Sequence, residues 1–119
     1  MTKGIIKLDQ TETLKNNLSN TVNTIKNLSK ADFVMSGETV QSAVCGKAQI
    51  NNQNYIYIES AKRFKLYTEQ SDLIYVLSGN GFIKWSRGEK DFSSGDFLLF
   101  NNVAEYELNG KSVFILLKI

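Results

Sequence analysis

After Ala31, apolar residues recur at every second position in short runs that turn-forming residues separate. This alternation is typical of strands with one buried face, and the connections are too short for crossover helices. The pattern therefore predicts an all-β domain, built as a sandwich or a barrel over residues 33–119. The predicted strands are 39–45, 47–50, 55–59, 63–67, 73–77, 82–86, 90–92, 97–100, 105–108 and 113–118.

Tight turns are predicted at 51–54, at Asn80-Gly81 and at 87–89, because Asn and Gly tolerate positive φ and the sequence contains no proline. On strand 55–59 we expect the isoleucines to face the core and the tyrosines to be half-exposed or at an interface. The segment 113–117 is apolar on both faces. Its outer face therefore needs a cover, for which a helix or a second subunit is expected.

The segment 9–30 has a helical period instead. Its apolar residues fall within an arc of about 120°, the width of a core-facing helical stripe. Asp9 with Glu12 three residues later predicts a capping box at the start. Two interpretations of the stripe remain, a helix on its own domain's sheet and a coil that forms a dimer. The stripe consists of Leu14, Leu18, Val22, Ile25 and Leu28.

Composition predicts a single domain, 1–119, without nucleic-acid or membrane partners. A formal net charge of +2 is too weak and too scattered for either surface. Residues 1–6 contain no secretory segment, and no apolar run has the length of a membrane span. Cys45 is the one cysteine, which fits a reducing compartment. A cytoplasmic location is therefore expected.

Two phrases in the second half combine an apolar strand with glycines. Residues 72–81 read Asp-Leu-Ile-Tyr-Val-Leu-Ser-Gly-Asn-Gly, and residues 94–101 read Ser-Gly-Asp-Phe-Leu-Leu-Phe-Asn. They resemble the two motifs of the cupin superfamily, and in particular the carboxy-terminal cupin half of type I phosphomannose isomerases. The resemblance covers about residues 62–118. It implies a double-stranded β-helix, or jelly-roll barrel, preceded by one amphipathic helix.

The resemblance also indicates where the metal ligands of a cupin would stand. Asp72 occupies the glutamate position of the first motif, and Gly79 matches its glycine. Tyr106 stands at the histidine position of the second motif.

Two positions remain for the paired histidines of the first motif. The commoner spacing gives Lys65 and Tyr67, whereas the shorter spacing gives Leu66 and Thr68. One sequence leaves both alternatives open.

The chain contains no histidine. A lysine is cationic at neutral pH, and a tyrosine has to ionise from a pKa of about 10 before it can bind a metal. We therefore expect no metal and no cofactor, and the metal-dependent isomerase activity of the family is not carried over. Cys45 has no imidazole to activate it, which argues against nucleophilic catalysis.

With the commoner spacing, Arg63, Lys65 and Tyr67 alternate onto the face shared with Asp72 and Tyr106. These five residues are the predicted ligand site. The basic pair would hold a phosphate or carboxylate, and the tyrosines would stack on a ring. The structural alternative is that the lysine reaches solvent and Tyr106 fills the space of the metal.

Three functions follow from this sequence. The first is a non-catalytic, metal-free domain that binds a small polar ligand, such as a sugar or sugar phosphate, and forms a homodimer through the doubly apolar strand or the helix. The second is a histidine-free sugar isomerase or epimerase, with a tyrosine as acid and Asp72 or Lys65 as base. The third is a purely structural dimerisation module with a filled barrel.

Overall fold

A computed structural model describes residues 4–119, so the first three residues of the predicted domain lie outside the described part. Strands take up 62% of the residues and helices 15%, which confirms the all-β prediction. The helical elements are α1 (Gln10–Lys15), α2 (Ser19–Lys26) and a 3-10 turn (Lys30–Asp32). The strands are β1 (Gly4–Lys7), β2 (Val34–Val40), β3 (Ala43–Ile50), β4 (Gln53–Ser60), β5 (Arg63–Thr68), β6 (Ser71–Trp85), β7 (Gly88–Ser93), β8 (Phe97–Asn101), β9 (Ala104–Asn109) and β10 (Ser112–Lys118).

The strands form two antiparallel layers that share the long strand β6. The first half of β6 pairs with β8 and β10, in a sheet of order β1-β8-β6-β10-β4-β3-β2. The second half pairs with β7 and β9, and β9 pairs in turn with β5. A strand that passes from one sheet to the other closes the barrel, so the layers enclose a common interior.

The predicted hairpin turn at Asn80-Gly81 is wrong, because both residues lie inside β6 and pair with β7. Gly79 and Gly81 instead allow β6 to bend. Gly79 has a φ of +92°, and a Cβ at Gly81 would overlap the carbonyl oxygen of Asn109. A close backbone crossing demands glycine as strongly as a turn does, and the sequence pattern does not distinguish the two.

A turn that was not predicted divides the segment 39–45. Gln41 and Ser42 have φ of +51° and +64° and connect β2 to β3. Two central residues with positive φ are typical of a type I′ hairpin, usually formed by Asn-Gly, so Gln-Ser gives little signal. The predicted turn at 51–54 is present, with positive φ at Asn51 and Asn52.

The predicted helix 9–30 is two short helices rather than one. Asn17 takes a φ of +56°, which ends α1 and re-aims the chain before α2. Asparagine is among the few residues that adopt this conformation at low cost. The break turns Leu14 outward, where it is 70% exposed. The Oδ1 of Asp9 accepts a hydrogen bond from the Glu12 N–H at 2.8 Å, which confirms one half of the predicted capping box.

The helix α2 covers the outer face of the larger sheet. Leu18, Val22 and Ile25 are buried there against β10 and its neighbours. Strand β10 thus has two buried faces, with Phe114 in the barrel interior and Ile115 under the helix. Burial of a side chain such as Ile25 contributes about 1.5–3 kcal/mol.

The same cover corrects the expectation for strand β4. Tyr55 and Tyr57 are 1% and 5% exposed, because they lie in the cluster under α2. The isoleucine face packs on the interior, as expected. Within residues 4–119, no helix is long and apolar enough to cross a membrane.

Candidate functional site

The face of β5 decides which residues reach the barrel interior. Phe64 and Thr68 are buried on that face, and Leu66 packs partly buried against the interior core. Arg63, Lys65 and Tyr67 alternate onto the outer face and are exposed. The structure therefore has the shorter of the two motif spacings. The side chains of Arg63, Lys65 and Tyr67 point away from the interior that holds Asp72 and Tyr106, so the five residues do not form one site, although Tyr67 lines the same cavity as Asp72.

Arg63 and Lys65 lie instead along a shallow trough on the outer face of β5, β9 and β6, with a volume of about 490 Å³. Lys65 stands opposite Glu107 in the pairing with β9. Its ammonium also lies 3.9 Å from the Glu105 carboxylate, and both side chains are about half exposed or more. An exposed pair of this kind contributes little to stability.

Asp72 and Tyr106 do meet, inside the barrel. The Tyr106 hydroxyl donates a hydrogen bond of 2.7 Å to Asp72 Oδ2, and both residues are 1% exposed. Burial, together with the neighbouring Asp72 carboxylate, raises the pKa of Tyr106 well above its ordinary value. The phenol is therefore held protonated, as a fixed hydrogen-bond donor to the aspartate.

Lys118 is the functional neighbour that the sequence reasoning missed. It stands directly opposite Asp72 in the β6–β10 pairing, with its ammonium 3.3 Å from Asp72 Oδ1. The same ammonium donates a 2.6 Å hydrogen bond to the backbone carbonyl of Tyr67. The alternation of side chains along β10 could have identified it. Phe114 and Leu116 face the interior, so Lys118, two residues further along the strand, faces it as well.

Phe100 completes the closure of the interior. It stands opposite Asp72 in the β6–β8 pairing and stacks on the Tyr106 ring, with centroids 4.2 Å apart. The two rings fill the space below the Asp72 carboxylate. The barrel interior is therefore packed at this level, and open space adjoins Asp72.

That open space is a cavity of about 290 Å³ at the barrel mouth. Its walls carry polar and charged groups together with the exposed ring of Tyr67. Thr68 lines it, and the buried Oγ1 of Thr68 has no hydrogen-bond partner within residues 4–119. The lining consists of Tyr67, Thr68, Glu69, Gln70, Ser71, Asp72, Lys118 and Ile119.

The residues at the ligand positions do not fit a metal ion. Leu66 offers no donor atom, and Tyr106 is held as a phenol. The Asp72 carboxylate already accepts hydrogen bonds from Tyr106 and Lys118. In the described part of the chain, no three His, Cys, Asp or Glu residues gather as a metal site would require. A divalent ion at this place would have one engaged carboxylate and an ammonium beside it.

Trp85 stands opposite Tyr106 in the β6–β9 pairing and packs partly buried against the interior core. Burial raises the pKa of the partly buried Cys45 thiol, which makes it a poorer nucleophile. Neither side chain lines the mouth cavity.

No protein-family model and no curated protein match this sequence. Solved structures do match it in shape. Mannose 6-phosphate isomerase from Bacillus subtilis superposes with a TM-score of 0.62 at 13% identity, over 72% of this chain and 28% of the isomerase. The chain has a cupin fold.

Two further structures share this cupin fold. A protein of unknown function from Vibrio parahaemolyticus gives a TM-score of 0.61 at 12% identity, over 73% of this chain and 98% of that one. Mannose 6-phosphate isomerase from Salmonella typhimurium, bound to its substrate and a zinc atom, gives 0.55 at 9% identity, over 73% and 22%. The chain thus spans about a quarter of the length of the isomerases.

Proposed function

We propose that this cupin domain binds a small hydroxylated molecule at the barrel mouth and does not convert it. The observation that carries the proposal is the mouth cavity, which lies directly above the Tyr106–Asp72–Lys118 network. The network occupies the positions at which a cupin would hold its metal. The neighbouring solved structures named as mannose 6-phosphate isomerases support the sugar class of ligand.

The cavity walls suit a polar ligand. The Lys118 ammonium donates to the Tyr67 carbonyl and to both carboxylate oxygens of Asp72, at a side chain that is 55% exposed, so a polar group is held at the cavity wall. Thr68 also lines the cavity, and its hydroxyl has no partner within residues 4–119. A buried hydroxyl without a partner costs about 1–3 kcal/mol, which a hydrogen-bonding ligand would offset.

The isomerase alternative finds less support in the same groups. An acid or base needs to reach the substrate and to change its protonation state near neutral pH. Tyr106 is buried beneath the cavity floor and has a raised pKa, so it is a poor acid. Asp72 is shielded by two hydrogen-bond donors, so it is a poor base. Lys65, the other base considered, lies on the outer face.

The experiment is a comparison of two Thr→Val substitutions in the full chain. Thr68→Val removes the unpaired hydroxyl, whereas Thr39→Val makes the same change at an exposed strand position. The melting temperature of each protein is measured alone and with a panel of monosaccharides and their phosphates. We expect Thr68→Val to keep or raise the melting temperature and to abolish the ligand-induced shift, and Thr39→Val to leave that shift intact. Equal ligand-induced shifts in both variants, or none in the wild type, would overturn the proposal.

Self-association is a separate proposal with its own surface. The doubly apolar strand β10 lies between β4 and β6 and is covered on both faces, so it cannot serve as the predicted contact. We propose that two copies meet through β2, the last strand of its sheet, where Val34 and Val40 are 81% and 51% exposed. An apolar edge strand is a template for pairing with a second chain.

Sedimentation velocity tests this contact. Val34→Lys should convert a wild-type dimer to a monomer, whereas Leu14→Lys, at the exposed leucine of α1, should leave the dimer unchanged. The reverse result would place the contact on the helix, and a monomeric wild type would remove the proposal. The cytoplasmic location stays a prediction, motivated by the single Cys45.

A further inference from the structure

The charges at the barrel mouth distinguish between a neutral sugar and a sugar phosphate. Three charged side chains line the described cavity, namely Glu69, Asp72 and Lys118. The ammonium of Lys118 is paired with Asp72, and this leaves Glu69 without a cation among the lining residues. The mouth therefore has a net charge of −1, the opposite of a phosphate site.

A phosphate group carries about −1.5 to −2 charges at neutral pH and is bound in proteins by free cations or by rows of backbone N–H groups. Among the described lining residues no cation is free, because the Lys118 ammonium already pairs with Asp72. A phosphate beside Lys118 would also face the carboxylates of Asp72 and Glu69, so like charges oppose its binding.

The basic residues Arg63 and Lys65 cannot bind a phosphate at the mouth in place of Lys118. They lie in the outer trough, on the opposite face of β5 from Thr68, and share it with Glu105 and Glu107. Neither of the cations that the sequence suggested for a phosphate lines the mouth cavity, although Tyr67 on the same face of β5 does.

The remaining groups match the surface of a neutral sugar ring. The half-exposed ammonium of Lys118 can share one of its hydrogen bonds with a hydroxyl oxygen, and the exposed carboxylate of Glu69 can accept from a neighbouring hydroxyl. The Tyr67 ring, 58% exposed, offers an apolar surface for the C–H face of the ring. A volume of about 290 Å³ lies at the lower end of small-molecule sites, which suits one ring and not two.

From this arrangement we infer that the ligand of the barrel mouth is a neutral monosaccharide and that Glu69 excludes the phosphorylated form. The inference rests on the proposed binding function and adds to it the class of ligand. Tyr67 supplies the stacking surface, and Lys118 and Glu69 hydrogen-bond to a pair of adjacent hydroxyls of the sugar.

The test measures binding of hexoses and of their 6-phosphates to the full chain, by saturation-transfer NMR and calorimetry. At least one neutral hexose should bind, and its 6-phosphate should bind at least about tenfold more weakly, because two like charges meet at the mouth. Glu69→Gln should narrow that difference, and Tyr67→Ala should weaken the neutral sugar about tenfold or more. Glu89→Gln, the same change on the outer face of β7, should alter neither value.

The outcomes separate the inference from the proposed function. A 6-phosphate that binds as tightly as its parent hexose, with Glu69→Gln inert, would overturn the inference and leave mouth binding in place. No binding of either class to the wild type would overturn both. Binding that Glu89→Gln changes and Tyr67→Ala does not would assign the sugar to the outer surface of β7, and this also overturns the inference.

Discussion

At the scale of single residues, the site is defined by a tyrosine that holds a buried carboxylate. Asp72 is 1% exposed, and a charged group at such a place is stable only when it is paired and hydrogen-bonded. Tyr106 from below and Lys118 from above satisfy that need. Tyr106 thus fills the interior and supplies a hydrogen-bond donor to the buried carboxylate, so its substitution tests how far Asp72 depends on it.

Tyr106→Phe should lower the free energy of unfolding by about 2–3 kcal/mol, because the buried carboxylate loses a hydrogen-bond donor. Tyr55→Phe is the matched control, since the Tyr55 hydroxyl donates to the neutral Gln53 Oε1 at 3.1 Å. The control should cost about 1 kcal/mol or less. Urea denaturation measures both values. Equal costs would mean that Asp72 does not depend on the tyrosine for its stabilisation.

A second buried phenol, that of Tyr57, hydrogen-bonds to the carboxylate of Glu59, and protonation of this carboxylate lowers the stability of the fold in acid. The Tyr57 hydroxyl donates to Glu59 Oε2 at 2.7 Å, and Lys30 from the 3-10 turn lies 2.9 Å from the same oxygen. The hydrogen bond from Lys30, followed by the one from Tyr57, lowers the pKa of Glu59 below its ordinary value of 4.5. Burial, followed by the Glu59 carboxylate, raises the pKa of Tyr57.

Because the pKa of Glu59 is lower in the folded state, its contribution to stability is present above pH 4.5 and is lost as the pH falls below that value. Glu59→Gln should therefore flatten the decline in stability between about pH 5 and about pH 3. Urea midpoints at several pH values measure that decline. Glu38→Gln, at an exposed residue of β2, is the control and should keep the wild-type slope. A parallel decline in all three proteins would contradict the prediction.

At the scale of elements, the outer edge of β5 is closed by side chains. The Gln41 amide, in the β2–β3 turn, donates to the Lys65 carbonyl and accepts from the Lys65 N–H, both at 2.9 Å. The Tyr67 carbonyl accepts from Lys118. An edge whose backbone groups are already paired is a poor template for another strand. The β2–β3 turn, which the sequence did not predict, thus caps the edge of β5.

Gln41→Asn should remove this cap without disturbing the turn, because asparagine keeps the tolerance for positive φ but has a shorter side chain. We expect a loss of about 1 kcal/mol in unfolding free energy and faster hydrogen exchange at the Lys65 amide. Gln49→Asn, at an exposed residue of β3, is the control. Unchanged exchange at Lys65 in the Gln41 variant would show that the cap does not form in solution.

Strands were predictable where one face is apolar, and β4, β5, β8, β9 and β10 lie within a residue or two of their expected positions. The inward face of β5 was predictable from the same alternation, because Phe64 and Leu66 are apolar whereas Arg63 and Lys65 are charged. The commoner motif spacing, which places the charged set inward, is what gave the wrong face. By contrast, Asn17 ends a helix whose apolar stripe continues through it, and no local pattern reveals the break.

At the scale of the whole molecule, the chain has the cupin fold, whereas the side chains at the metal positions of the motif are poor metal ligands. Strand register places Leu66 opposite Tyr106, whose hydroxyl reaches Asp72, and Thr68 lines the same cavity as Asp72. Fold and function are therefore separable in this chain. Restoring imidazoles at the correct positions should restore a metal site.

The variant Leu66→His/Thr68→His/Tyr106→His should bind Zn²⁺ through three imidazoles and Asp72, since all four positions face the interior. The matched variant Lys65→His/Tyr67→His/Tyr106→His places two imidazoles on the outer face and should not. Competition with a chromophoric chelator measures Zn²⁺ binding. Urea denaturation with and without Zn²⁺ measures how much the bound metal raises the free energy of unfolding, which is expected to be about 2.7 kcal/mol at a hundredfold excess of Zn²⁺ over the Kd. Tight binding by the matched variant instead would show that the longer motif spacing is correct and that β5 has the opposite register. Zinc that folds the first variant from an unfolded apo state would still satisfy the prediction, because the metal would then supply the energy that Tyr106 provides in the natural chain.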